Sequence, residues 1–523
     1  MENAMQSHLY AEKELQAQTV YSDSTAEYTL PDYLPEMRRV LSVRTEVIPS
    51  GQYVGQSRAE FAGTCMHRVL YTDAQGQVWG ATVPSDFELA VPLSGADPAT
   101  VKCHAYHTVE SNSCRLGGPR RISVRAVVAS RVHLFAPCTD LPQTDFSGEG
   151  CERLQKSVAA RCVYPFSSER VHFSETVKAE SADELRVLCA EGAVLVREAR
   201  GEGEDALCSG EVYLKALCAG KDGAPFPVCA KLPFEEKMQG VLPCEGLSLC
   251  VCAYVTDVEA TLSADAEGAA LVTFDASVVF DGLAEKNETI NAVCDLFSQS
   301  SPVEVSYTEL PLQKSMGIMM ANFTLDGSES CEACDSVGAF SVADTAVCAR
   351  LLSLSYEGER VFAEGEAQVS MLLSMPAEQG EGMTLWQAAN FKTPIKMELS
   401  MPNPLPNGVR LEGELVVATA KGRVDRERLC CDYEVRLCVH AAAEAPVRMV
   451  CAYTADAAHP FEEGRSEIIS AYLKEGDTLW EIAKRYHASP EQIVTTNDLP
   501  PQALAEPDAA YTLDGYTRLL IEK

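Results

Sequence analysis

Apolar and polar residues alternate with a period of two along most of the chain. Runs such as "VLSVRTEVI" (40–48), "LSLCVCAYV" (247–255) and "AALVTFDASVVF" (269–280) are separated by turns that contain Gly or Asp. Because successive side chains of a strand point to opposite faces, this pattern predicts half-buried antiparallel strands. We therefore predict a mainly β protein of sandwiches or open barrels. Two stretches, 32–41 and 150–160, indicate short helices between the sheets.

The strand pattern repeats three times at a fixed scale. Each copy has a Gly in an outgoing strand and a Phe in the strand that returns after a turn. The landmark pairs are Gly63 and Phe87, Gly210 and Phe234, and Gly365 and Phe391. Their spacings are 24, 24 and 26 residues, and successive Phe landmarks lie 147 and 157 residues apart. A repeat of that length is a whole domain rather than a solenoid unit.

The pattern changes near residue 454, where a polar, turn-rich stretch precedes a short final segment. We call residues 469–523 the terminal module. The predicted organisation is a tail at 1–30, strand-rich repeats at 31–140, 141–290 and 291–453, a linker at 454–468, and the terminal module at 469–523.

The terminal module has the signals of a βααβ fold. Thr478 followed by Glu481 is a capping-box pattern that begins the amphipathic helix "LWEIAKRYH". Ser489 and Pro490 then supply an N-cap and a first-turn proline for a second helix. "IISAY" before the helices and "TRLLIEK" after them predict two strands.

The same segment resembles a LysM domain, through "GDTLW", "IAKRY" and "NDL". The resemblance implies a shallow groove for N-acetylglucosamine glycans. One side would hold Gly476, Asp477, Thr478 and Leu479, and the other Ile493, Asn497 and Leu499. A structural role competes with this reading, because Thr478 caps a helix with or without a ligand and the Leu and Ile residues suit a small core. Asp477 and Asn497 are the better candidates for ligand contacts, and the long segment "PPQALAEPDAAYTLDG" (500–515) borders the groove.

Charge and cysteine content restrict the class of partner. The formal net charge is −33 and the sequence pI is about 4.7, which disfavours nucleic acid and anionic lipid surfaces. The first thirty residues lack an apolar signal run, and we find no stretch of about 20 apolar residues, so we expect neither export nor an integral membrane protein. Twenty-one cysteines, such as Cys250 and Cys252 in an apolar run, indicate buried free thiols in a reducing cytoplasm.

Three strand-rich repeats followed by this module resemble the SPOCS-repeat spore-coat morphogenetic proteins of the SipL type. The segments "LPDYLPEMRRVLSVRTEV" and "VHFSETVKAESADELRVLCAEGAV" carry the resemblance, together with the order of the parts. It implies a scaffold in the mother-cell cytoplasm that gathers at the forespore surface and in the spore coat. Its implied partners are the stage IV sporulation coat ATPase, bound by the LysM domain, and other coat proteins.

Motifs for catalysis or metal binding are sparse. "CEAC" (331–334) has no second pair at zinc-site spacing. Cys103 and His107 in "CHAYH" could share a strand face and form part of a site, but a lone His on a half-buried strand is more often simply hydrogen-bonded. Cys430 and Cys431 would face opposite sides of a strand. We therefore predict no catalytic residue, no metal, no cofactor and no enzyme. Two alternatives stay open: a peptidoglycan-binding wall protein, and a hydrolase concealed in the repeats.

Overall fold

The computed structural model describes residues 12–138, 151–179, 185–221, 223–238, 247–331, 341–375, 385–456, 458–461 and 468–522. Strands dominate these ranges and helices are confined to the last of them, apart from one short 3-10 turn. The prediction of a mainly β protein is confirmed. No helix in these ranges is long and apolar enough to cross a membrane.

The strands before the terminal module form three units, which together we call the body. Unit 1 contains β1 (Glu12–Thr29), β2 (Arg39–Val54), β3 (Arg58–Thr72), β4 (Val78–Pro92), β5 (Lys102–Gly118) and β6 (Arg121–Pro137). Unit 2 contains β7 (Cys151–Ser167), β8 (Val171–Lys178), β9 (Arg186–Glu202), β10 (Asp205–Ala219), β11 (Pro225–Met238), β12 (Ser248–Ala264) and β13 (Ala270–Ser298). Unit 3 contains β14 (Val303–Leu310), β15 (Gln313–Ser330), β16 (Ser341–Glu357), β17 (Arg360–Met375), β18 (Leu385–Ser400), β19 (Val409–Asp425), β20 (Arg428–Glu444) and β21 (Val447–Ala455).

Each unit contains a sandwich of two antiparallel sheets, and unit 3 has in addition the two-stranded sheet β14-β21. One sheet is a meander of three consecutive strands, β2-β3-β4, β9-β10-β11 or β16-β17-β18. The other pairs the last hairpin of the unit with an earlier strand, as in β1-β6-β5 and β15-β20-β19. Alternate side chains of both sheets fill the space between them; in unit 1, Phe61 and Phe87 pack with Val128 and Leu134. This arrangement matches the sandwich form of the prediction.

Three segments differ from the expected elements. Residues 12–29, assigned to a tail, form β1 and pair with β6 along its whole length. The expected helix at 150–160 is wrong, because Cys151–Ser167 is a strand paired with the long β13. The expected helix at 32–41 is wrong as well: turns there lead into β2 at Arg39. At 150–160, pairing with the distant β13 overrides a weak local helical pattern.

The Gly and Phe landmarks are cross-strand pairs in two of the units. Gly63 lies opposite Phe87, and Gly210 lies opposite Phe234. A Cβ atom added to Gly63 would lie 2.5 Å from the Phe87 ring, so the missing side chain makes room for the aromatic one. In unit 3, however, Gly365 lies opposite Ile395. The landmark match to Phe391 is therefore wrong by four residues.

The three units share a common interior. Leu41, Leu188 and Ala343, from the first strands of the three meanders, pack in one buried cluster with Leu70, Leu217 and Leu372. Beside this cluster the same strands bring Arg44, Glu191 and Asp344 together in ion pairs. Lys215 joins both carboxylates and is 3.0 Å from Asp344 Oδ1. The three units thus form one body and are not separate, independent domains.

The terminal module packs on this body. It contains strand β22 (Ile468–Tyr472), the helices α1 (Leu479–Tyr486), α2 (Pro490–Thr496) and α3 (Gln502–Ala505), and strand β23 (Arg518–Glu522). β22 and β23 pair antiparallel, and the first two helices cover one face of this small sheet. The predicted βααβ order is present, with α3 and a 3-10 turn (Ala510–Leu513) added in the long segment before β23.

Candidate functional site

The expected ligand groove is built around the start of α1 and the end of α2. Thr478 is the N-cap of α1, and its hydroxyl accepts a hydrogen bond from the Glu481 amide at 3.1 Å. Leu479 is fully buried, and Ile493 and Leu499 are at most 6% exposed in the same small core. These side chains hold the module together, which agrees with their structural reading.

The side chain of Asp477 is already occupied by hydrogen bonds to neighbouring groups of the module. Its Oδ2 accepts from the Lys474 amide at 2.9 Å, and its Oδ1 accepts from Arg485 Nη2 at 3.1 Å. The amide of Lys474, followed by the guanidinium of Arg485, keeps the pKa of Asp477 below its ordinary value. The carboxylate therefore closes the turn that carries Gly476 instead of pointing freely into the groove.

Asn497 is committed in the same way. Its Nδ2 donates to the carbonyls of Ile493 and Leu520 at 2.8 and 2.7 Å. Its Oδ1 accepts from the Leu520 amide at 2.6 Å. These bonds fasten the end of α2 to β23. The two residues that the sequence favoured for ligand contacts are thus both used in holding the groove walls in place.

Glu475, Gly476 and Asp498 are exposed beside the groove residues, and so is Lys474. Gly476 has φ +89, a left-handed conformation that suits glycine, and Asp498 has φ +50, which Asp tolerates better than most residues. We call Glu475 and Asp498 the acidic rim; sequence reasoning missed both because neither is part of the apolar signature.

The long segment 500–515 covers the beginning of α1. The carbonyl of Pro507 accepts from the Trp480 amide at 2.7 Å, so this segment satisfies one of the free donors at the helix start. Asp508 also forms an ion pair with Lys156 of unit 2. The segment therefore connects the groove to the body, an arrangement that its length alone did not indicate.

The module is docked on the body through Asp295 of β13. Its carboxylate accepts from Trp480 Nε1 at 2.8 Å, from Lys484 Nζ at 2.7 Å and from the Tyr307 hydroxyl at 2.7 Å. The Trp480 ring also lies edge-on to Phe297, with centroids 5.0 Å apart. Although burial opposes it, these donors lower the pKa of Asp295. The docking fixes the orientation of the module and leaves its acidic rim exposed.

The other residues singled out from the sequence do not form a joint site. His107 is a core residue: it hydrogen-bonds Ser130 at 2.7 Å, and burial lowers its pKa to about 4. Cys103 is buried in the unit 1 core. Cys431 is buried and Cys430 is half-buried on β20, as expected for opposite faces. Of "CEAC", Cys334 lies outside the described residues.

A cavity of about 680 Å³ lies between the units, lined by the meander strands and by β5 and β19. Its charged side chains are paired with one another: Arg44 with Glu191, and Arg68 with Glu46 at 2.7 Å. The first pair joins units 1 and 2, and the second lies within unit 1. We therefore assign this cavity to the architecture of the body and not to a binding site.

Comparison with known proteins identifies part of the terminal module. The family model described as "LysM domain" matches residues 473–507. No curated protein and no solved structure matches the chain. The chain therefore contains a LysM domain, the type of module whose presence suggests binding of peptidoglycan or a related glycan.

Proposed function

We propose that this protein is a non-enzymatic scaffold of endospore coat assembly. In this proposal it acts in the mother-cell cytoplasm and at the forespore surface. Its LysM domain binds a protein partner, the stage IV sporulation coat ATPase. The observation that carries the proposal is the groove itself: Asp477 and Asn497 are bound internally, and Glu475 and Asp498 present two exposed carboxylates beside them.

The chemistry of the acidic rim favours a protein over a neutral sugar. Sugar sites usually present apolar or aromatic surface with a few free hydrogen-bonding groups. Glu475 and Asp498 offer exposed carboxylates, which pair with Lys or Arg on a partner and steer its approach. The partner surface that fits this rim is therefore basic.

The architecture of the body supports a scaffold role. Three sandwich units share buried apolar and ionic contacts, and the module is held on them through Asp295. A docked module presents its groove in one orientation relative to a broad sheet surface. The cysteines that the structure describes are all free, which suits a reducing cytoplasm. The resemblance to SPOCS-repeat coat proteins points the same way.

The proposal is tested by sedimentation of the full-length chain. We expect it to pellet with polymers of the purified sporulation ATPase. The double variant Glu475→Gln/Asp498→Asn removes the rim charge and keeps residues of similar shape, and we expect it to stay in the supernatant. Glu491→Gln, at an exposed position on α2, is the matched control and should pellet like the wild type. A chain that ignores the polymers would contradict the proposal.

Glycan binding is the second candidate, and the LysM match at residues 473–507 favours it. Under this alternative the full-length chain pellets with purified peptidoglycan. It would also be indifferent to the rim substitutions, because neutral sugars gain little from carboxylates at the edge. Binding to peptidoglycan without binding to the ATPase would establish the alternative in place of the scaffold proposal.

A further inference from the structure

Three thiols and an imidazole meet where units 2 and 3 touch. Cys250 and Cys252 lie on β12, and Cys438 and His440 lie on β20. One valine separates the members of each pair, so both side chains of a pair point to the same face of their strand. The three cysteines are at most 2% exposed. We call these four residues the thiol cluster.

The ligand atoms of Cys250, Cys438 and His440 are close enough to share one ion. Cys250 Sγ and Cys438 Sγ are 2.8 Å apart, and Cys438 Sγ is 3.8 Å from His440 Nε2. The donor atoms of Cys250, Cys438 and His440 all lie within 4.8 Å of one another. Those of Cys250, Cys252 and the buried Glu414 of β19 do so as well. Two ligand groups therefore overlap at Cys250.

We propose that the thiol cluster binds one zinc ion, held by the sulfurs of Cys250 and Cys438 and by His440 Nε2. Thiolate and imidazole ligands favour zinc over magnesium or calcium. Cys252 keeps its proton and lies beside the ion, because its thiol donates a hydrogen bond to Glu414 Oε2 at 2.7 Å.

His440 is oriented for this role. Its Nδ1 is 3.4 Å from Glu285 Oε1, which leaves Nε2 directed at the sulfurs. Glu285 is itself held by Arg161 and by the Ser315 hydroxyl at 2.7 Å. A carboxylate on the far nitrogen of a metal-binding histidine fixes the ring and its tautomer. Glu285 is thus a positioning residue for the site.

Charge balance also fits zinc. A divalent ion with two thiolates carries no net charge, so it adds no uncompensated charge to the buried site. Arg436 is 1% exposed and lies beside the cluster, with Nη2 3.5 Å from Cys252 Sγ. Its guanidinium offsets the charge of the buried Glu414 carboxylate. When zinc binds, two S–H bonds break, two Zn–S bonds form and two protons pass to water, with no change of oxidation state.

The ion would fasten the units together. β12 belongs to unit 2 and β20 to unit 3, and their sheets do not pair with each other. Unit 1 reaches the same place through β5, where the Tyr106 hydroxyl donates to the Leu415 carbonyl at 3.0 Å. Zinc here bridges two sandwiches at the centre of the body. The sequence signal is the pair "CVC" (250–252) and "CVH" (438–440), a strand spacing that a search for CxxC motifs misses.

The test measures metal in the full-length chain, purified with reductant and without chelator. We expect elemental analysis to find one equivalent of zinc, and Cys250→Ser and Cys438→Ser to lose it. Cys431→Ser is the matched control: Cys431 is equally buried on β20 but lies in the apolar core of unit 3, and this variant should keep the zinc. Loss of zinc from Cys431→Ser alone would contradict the assignment.

Two further results would overturn the proposal. One is a wild-type chain that takes up no zinc even after incubation with zinc chloride. The other is a Cys250–Cys438 disulfide found by mass spectrometry after the thiols are alkylated in intact cells. If the serine variants do not fold, Glu285→Gln serves instead. We expect it to weaken zinc binding about 10- to 100-fold in competition with a chelating dye; unchanged affinity would contradict the role of Glu285 in positioning a zinc-bound His440.

Discussion

The terminal module and the body carry their structural information on different length scales. The LysM match spans residues 473–507, a continuous segment. The joints of the body connect residues far apart, such as Arg44 with Asp344, 300 positions away, and Tyr106 with Leu415, 309 away. Because their contacts differ in this way, we expect the two regions to respond separately to mutation. Changes at the joints should alter stability, whereas changes at the acidic rim should alter binding alone.

The largest effect is expected at the charged joint of the body. Asp344→Leu removes a carboxylate whose side chain is 1% exposed and leaves Arg44 and Lys215 poorly compensated. Removing one partner of a buried ion pair costs about 3–5 kcal/mol, measured as the free energy of unfolding in denaturant. Glu364→Leu breaks an exposed pair with Lys396 and should change stability by less than about 0.5 kcal/mol. Equal losses of stability in the two variants would contradict the assignment of Asp344 to a central joint between the units.

A smaller loss is expected where units 1 and 2 touch. A Cβ atom at Gly80 would overlap the carbonyl oxygen of Leu188 in unit 2. Gly80→Ala should therefore destabilise the body by about 1–3 kcal/mol, as overpacking usually does. Gly118→Ala is the control, because no atom lies within 4 Å of its added Cβ. A Gly80→Ala chain as stable as the control would show that the units do not meet at this point.

The next effect concerns the docking of the module on the body. Asp295→Ala removes the acceptor of Trp480, Lys484 and Tyr307, and stranded buried donors cost about 1–3 kcal/mol. We expect faster amide hydrogen exchange in α1, with strands β2 to β4 unchanged. If hydrogen exchange rose equally in the strands of the body, this would contradict the expectation that the module and the body respond separately.

Acid should weaken the same docking. The pKa of Asp295 is lowered in the folded chain, so its contribution is complete above the unfolded-state value of about 4 and is lost as the pH falls through the lowered value. Hydrogen exchange in α1, corrected for the intrinsic effect of pH, should rise below about pH 4 in the wild type. Asp295→Asn should lack this pH-dependent step.

The smallest effect on stability is expected at the acidic rim. Glu475→Gln/Asp498→Asn changes two exposed side chains and should leave the free energy of unfolding within about 0.5 kcal/mol of the wild type. Binding to the ATPase should nevertheless be lost. A rim variant that unfolds easily would mean that these residues belong to the fold of the module.

The same contrast explains what the sequence could predict. Thr478, Leu479 and Ile493 follow local helical patterns, so the module could be outlined before folding. The pairing of Gly365 with Ile395 could not, because the lengthened third hairpin shifts the register. Nor could the meeting of Cys250 with Cys438, since period-two alternation says which face is buried but not which distant strand covers it.

Recruitment through the LysM domain is tested most directly by a fluorescent fusion of the full-length chain in a sporulating endospore former. We expect the wild type and the Glu491→Gln control to form a ring around the forespore. The rim variant Glu475→Gln/Asp498→Asn should be present at the same level but diffuse in the mother cell. A wall-wide signal, or a ring that survives the rim substitutions, would contradict the claim that the LysM domain recruits this scaffold by binding a protein.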